Sequence, residues 1–133
     1  MVKTHEDLEA YLNRLERRFE RTEDGTYLLS VPGSQVPVAA RLAPPVLVMQ
    51  VEIGPAPAAK PELEARVFRR LLELNARDLL HAAYGVDGGT ILLSAALELD
   101  NLDLNELEAT LADVGLALST HVPALRELVQ QSA

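Results

Sequence analysis

Apolar and polar residues alternate from Thr90 to Leu99 with the period of a β-strand. Ile91, Leu93, Ala95, Leu97 and Leu99 would share one face, with Thr90, Leu92, Ser94, Ala96 and Glu98 on the other. The preceding Asp87-Gly88-Gly89 tolerates positive φ, which predicts a hairpin turn leading back to a strand around His81–Asp87. Downstream, Asp103-Leu104-Asn105-Glu106 carries an N-cap acid and a second acid three residues on, the pattern of a capping box. Leu104, Leu107, Leu111, Val114 and Leu118 then recur at helical spacing. Tyr84 to Leu111 is thus the most fully patterned stretch of the chain.

The rest of the chain yields to the same reading. Thr4 can cap a helix running to about Arg21, with Leu8, Tyr11, Leu12, Leu15 and Phe19 as its apolar stripe. Glu23-Asp24-Gly25 is a turn, and strands are predicted at Thr26–Val31, Val36–Leu42 and Val46–Ile53. Their connections, Pro32-Gly33-Ser34 and Ala43-Pro44-Pro45, are short enough to make sequential strands antiparallel neighbours. Gly54 to Lys60 is a Pro/Ala-rich linker, and Pro61 opens a second helix to about Asn75, carrying Leu63, Val67, Phe68, Leu71, Leu72 and Leu74. Pro123 disfavours helix at Val122, so a kink or restart is expected before Leu125–Gln130.

The order αβββαββα predicts an α+β, two-layer sandwich: one antiparallel sheet with the helices on one face, in one domain spanning 1–133. The other sheet face is only half polar. Leu28, Val46, Val48, Leu92 and Ala96 fall on it, and an uncovered apolar patch of that kind marks an interface. These residues are therefore the expected homodimer surface.

On the first helix the charges segregate. Glu6, Glu9, Glu16 and Glu20 fall on one flank, and Arg14, Arg17, Arg18 and Arg21 on the other. Like charges recur at i,i+4, with compensation offered at i,i+3 by Arg17/Glu20 and Arg21/Asp24. The four arginines are the candidate partner-binding residues, set against a solvated helix face as the plain alternative.

Composition narrows the chemistry. At 133 residues, 48% apolar and 4% aromatic, the core must be built from Leu, Val and Ala. Zero cysteines exclude disulfides, thiolate zinc sites and thiol catalysis, and fit a reducing compartment. No apolar run approaches the ~20 residues of a membrane helix, and the N-terminus lacks a signal-peptide layout, so the expected location is cytoplasmic. A net charge of −8, from 20 acidic and 12 basic side chains, argues against direct nucleic-acid or anionic-membrane binding and allows a basic protein partner.

Motifs for catalysis are missing. His5, His81 and His121 stand in no metal-ligand frame. A calcium-loop frame from Asn101 puts Glu106 where glycine is needed and Ala112 where glutamate is needed. Gly85 to Gly89 lacks the G-K-[ST] ending of a phosphate loop, and Ser94 sits mid-strand outside any nucleophile elbow. No catalytic, metal or cofactor-binding residue is assigned, and no cofactor is expected.

The run Leu71-Leu72-x-Leu74-Asn75, then Tyr84-Gly85-Val86-Asp87-x-Gly89, Leu97-x-Leu99, Leu102-Asp103 and a Leu-rich helix resembles the YbjN-like family. It is similar also to the related class I, CesT-type, type III secretion chaperones. The likeness covers about residues 61–120, and the Pro-rich linker and the break at Pro123 depart from the secretion chaperones. The resemblance implies an α+β sandwich that commonly dimerises. For the chaperones it implies binding an extended client segment without nucleotide hydrolysis, and for the YbjN-like proteins a sensory or stress-regulatory role. The expected function is a non-enzymatic, chaperone- or adaptor-like homodimer acting on a client protein. The alternative is a stress or sensory regulator that reaches a nucleic-acid-handling system through a basic protein partner.

Overall fold

In the computed structural model, residues 2–32, 34 and 36–131 are described; Met1, Gly33, Gln35, Ser132 and Ala133 lie outside them, so the expected Pro32-Gly33-Ser34 turn is seen only at its flanks. The elements are α1 (His5–Arg14), β1 (Phe19–Arg21), β2 (Tyr27–Leu29), β3 (Val38–Ala43), β4 (Val46–Pro55), α2 (Pro61–Arg77), β5 (Ala83–Asp87), β6 (Thr90–Glu98), α3 (Leu104–Leu116), a π-helical turn (Ala117–His121) and α4 (Val122–Gln131). The six strands form one antiparallel sheet in the order β1-β2-β3-β4-β6-β5.

The alternation read from the sequence is the alternation of the sheet. Tyr27, Leu29, Val38, Ala40, Leu47, Met49, Val51, Ile91, Leu93, Ala95 and Leu97 are all buried and face the helices. Leu8 and Leu12 of α1, Leu63, Val67 and Leu71 of α2, and Leu107, Leu111 and Val114 of α3 join them in one core.

Local chemistry fixes the helix starts. Thr4 Oγ1 accepts from the Asp7 amide at 3.2 Å while the Asp7 carboxylate accepts from the Thr4 and Lys3 amides at 3.0 and 2.9 Å, a complete capping box. Those backbone donors hold the Asp7 carboxyl below the usual carboxylate range. Asp103 caps α3 in one direction, accepting from the Glu106 amide at 2.8 Å.

Four expectations are corrected. The first helix ends at Arg14, seven residues early, because the chain turns in a Schellman motif. The Arg17 amide donates to the Leu12 carbonyl and the Glu16 amide to the Asn13 carbonyl, with Glu16 at φ 56°. The liberated residues form the unforeseen strand β1, where Phe19 packs edge-on to Tyr27 at 5.6 Å. Leu72, read as core, is 68% exposed, and Val36 precedes β3 and is 46% exposed. Finally, Val122 is helical (φ −62°, ψ −45°). The proline is absorbed by the π-helical turn, so the helical backbone runs on from α3 into α4.

Candidate interaction surface

The sheet face turned away from the helices carries all five residues expected there. Leu28, Val46, Val48 and Leu92 are half-buried and Ala96 is exposed. Val48 sits near the middle, between Arg41 on β3 and Ala96 on β6. Glu20 begins a row that crosses the sheet through Leu28, Ala39, Gln50, Ser94 and Ala83. The apolar residues are therefore interleaved with Gln50 and Ser94, and charges stand at Glu20, Arg41, Glu52 and Glu98. A shallow concavity of about 540 Å³ lies on this face, walled by Val36, Pro37, Ala39, Arg41, Val48 and Gln50. Ala39 and Arg41 were not singled out from the sequence. Gln50 shares strand and face with Val48, two positions on, whereas Ala39 and Arg41 come beside them through the β3–β4 register, which the spacing within one segment does not reveal.

The four candidate arginines do not form one helical stripe. Arg14 ends α1, Arg17 and Arg18 lie in the link to β1, and Arg21 ends β1. Arg17 and Arg18 line a depression of about 480 Å³ with Leu15, Glu16, Ser30 and Glu108. The i,i+3 pairings do not form. Arg21 Nη1 lies 3.6 Å from Glu9 Oε2, and its guanidinium carbon is 5.8 Å from the Tyr27 ring centre. Tyr27 Oη donates to Glu9 at 2.9 Å; burial first, then the Glu9 bond and charge, push the Tyr27 hydroxyl up to about 12. Asp24 instead accepts from the Thr22 hydroxyl and the Thr26 amide, closing the turn before β2.

The two sheet edges differ. On β1, the Ser30 amide donates to the Arg18 carbonyl and the Thr22 amide to the Thr26 carbonyl, so alternate residues bond inward to β2. The peptides of Phe19 and Arg21 consequently point outward along a free edge. On β5, Tyr84 gives and receives backbone bonds with the Asn75 side chain (2.8 Å from N–H to Oδ1, 3.2 Å from Nδ2 to the carbonyl). Just before it, Asp113 Oδ2 accepts from the amides of Leu80, His81 and Ala82 at 3.0, 2.8 and 2.9 Å. Side chains thus occupy most of that edge, leaving the Val86 peptide open, a familiar defence against unwanted strand pairing.

Of the histidines, His5 contacts Tyr27 at 3.1 Å through Nδ1, and His81 is exposed. His121 is buried between Tyr84 and Asp78: its Nδ1 is 2.9 Å from Tyr84 Oη and its Nε2 is 2.9 Å from Asp78 Oδ2. A carboxylate can only accept, so Nε2 donates to Asp78, and in the neutral ring Nδ1 accepts from Tyr84. Burial, then the Asp78 and Asp113 charges, raise the Tyr84 hydroxyl well above its ordinary value. This arrangement ties the π-helical turn to β5 and the end of α2. The spacing of the three residues, 78, 84 and 121, gave no sequence signal of it. Among the described residues, no cluster of His, Asp or Glu could hold a metal ion, and no helix is long and apolar enough to cross a membrane.

A six-stranded antiparallel sheet with helices on one face, a bare opposite face and one open edge defines a secretion-chaperone-like α+β protein. The chain belongs to the type III secretion chaperone family CesT_Tir_1, whose model matches residues 1–131. Solved structures agree on the fold. A chain of the heterodimeric ExoU–SpcU complex from the type III secretion system of Pseudomonas aeruginosa is 20% identical, with a TM-score of 0.66 over 91% of this chain and 96% of that one. YbjN from E. coli is 13% identical, with a TM-score of 0.63 over 90% and 91%. A chain of the HopA1–SchA chaperone–effector complex is 14% identical, with a TM-score of 0.59 over 90% of each. No curated protein matches the sequence significantly.

Proposed function

We propose that this chain is a cytoplasmic, non-enzymatic protein-binding module, chaperone- or adaptor-like, that acts as a homodimer on a client protein. The observation that carries this reading is the sidedness of the sheet. One face is sealed by helices, while the other presents Leu28, Val46, Val48, Leu92 and Ala96 with no described element over it. Arg41, Glu52 and Glu98 give that face both signs of charge. A two-fold pairing centred near Val48 can therefore set Arg41 of each copy against a carboxylate of the other.

The client is received at the β1 edge. Its outward peptides at Phe19 and Arg21 offer main-chain hydrogen bonds to an extended segment. Arg14, Arg17, Arg18 and Arg21 lie along the approach and select acidic groups of the client, while the −8 net charge favours basic surface elsewhere on it. The family membership and the chaperone–effector complexes among its structural neighbours support a protein ligand.

Light scattering at micromolar concentration should give the mass of two copies, and Val48→Asp should reduce it to one; a monomer in the parent protein would remove the dimer. A tagged pull-down, washed at low and high salt, should retain one dominant partner. A variant with alanine at all four arginines should lose that partner. Equal retention by both proteins would refute the arginine contact.

A further inference from the structure

A third, smaller pocket of about 260 Å³ lies at the far end of the sheet, between β4, β6, α2 and α4. Ile53, Val67, Ile91, Val122, Leu125 and Val129 supply its apolar wall. Arg126 is the charged side chain lining it, and among the described residues Arg126 makes no ion pair or hydrogen bond. No carboxylate lines it.

Two backbone irregularities build this pocket. The β4–β6 register shifts between Glu52 and Gly54, and such bulges re-aim a strand beside functional sites. Here the shift leads into the Gly54–Pro57 wall, where nothing lies within 4 Å of the space a Cβ on Gly54 would take. On the opposite side, the π-helical turn Ala117–His121 adds a residue to the helical turn just before α4, which supplies Val122, Leu125, Arg126 and Val129 to the pocket.

We propose that this pocket binds a short aliphatic carboxylate, its chain among the apolar residues and its head group on Arg126. Charge chooses the ligand: an apolar chamber with one unpaired guanidinium at its rim and no acid favours an anion-headed chain over a neutral or cationic one. Size limits it. A methylene fills about the space of one liquid water, ~30 Å³, so the pocket takes roughly eight carbons.

The probe is octanoate, with octanol and octylamine as controls, titrated into the full-length protein by calorimetry and by ¹⁵N-resolved NMR. Saturable octanoate binding is expected, with shifts confined to residues 53–57 and 122–129. Arg126→Gln should weaken octanoate about tenfold while leaving octanol unchanged. Val129→Trp, placed at the mouth, should block both. Circular dichroism and melting of each variant would establish that it folds. Absence of saturable octanoate binding, equal affinity for octanoate and octylamine, or shifts elsewhere would overturn the proposal. The dimer and client readings do not depend on this site, and their tests are separate.

Discussion

Asp113 offers the sharpest test of how the fold is held. Its carboxylate, 8% exposed on α3, takes three consecutive backbone donors from the segment between α2 and β5 on a single oxygen. Hydrogen bonds to a charged group contribute about 1.5–3 kcal/mol each, so three give an upper bound of roughly 4.5–9 kcal/mol. That bound is too high here. Leu80 is 87% exposed and His81 is also exposed, so water can recover much of what their amides lose. The Ala82 amide is in a buried bond and would be stranded. Asp113→Ala should therefore cost about 3–5 kcal/mol, a large part of the ~5–15 kcal/mol that holds a domain folded. Asp113→Asn keeps an acceptor but loses the charge, and should cost about 1–2 kcal/mol. Urea unfolding at pH 7 measures both, and amide exchange should quicken at residues 80–82 before elsewhere. If the two variants cost the same, and under about 1 kcal/mol, the three-donor arrangement is not what secures this segment.

Four further outcomes follow from the same structure. Raised hydroxyl pKa values at Tyr27 (about 12) and Tyr84 mean that the folded state binds these protons more tightly than the unfolded chain. Their stabilisation is complete below pH ~10 and is lost as pH rises toward and through 12, so urea midpoints should hold from pH 8 to 9.5 and fall beyond. Glu16 adopts a left-handed backbone that glycine enters freely, so Glu16→Gly should raise stability by up to about 1 kcal/mol, read from the thermal midpoint. His121→Ala removes a buried ring and strands the Tyr84 hydroxyl; it should cost about 2–4 kcal/mol by urea unfolding, and His121→Phe should recover only the packing share. A gel-shift at low salt should show no DNA binding, in line with the −8 charge; steeply salt-dependent binding would instead favour a direct nucleic-acid role.

Much of the fold was legible because it rests on local period. Thr90–Glu98 alternates cleanly and β4 does so from Val46 to Glu52, the Asp87-Gly88-Gly89 turn leaves little choice, and Asp103 announces its helix. The end of α1 was not legible, because its Schellman turn uses Glu16 where a glycine would have signalled it, and Leu15 and Phe19 continue a helical spacing into a strand. That error concealed β1, and with it the edge where the arginines gather. The five open-face residues were found because sheet faces follow parity. Their neighbours Ala39 and Arg41 depend on inter-strand register, and the Asp78–His121–Tyr84 contact joins residues as far as 43 positions apart. No pattern within a single element encodes such meetings.

The unequal edges of the sheet also set a limit on growth. The β1 border carries outward peptides at Phe19 and Arg21, whereas on the far side Asn75 and, just before β5, Asp113 already hold the backbone of Tyr84 and residues 80–82. Repeated edge-to-edge addition needs two receptive borders on every molecule, one to give and one to take. With one border reduced to the Val86 peptide, an added strand finds outward peptides in sequence only along β1. Backbone geometry thereby disfavours fibre growth by repeated strand addition, because the β5 border offers too few free peptides to carry a ladder.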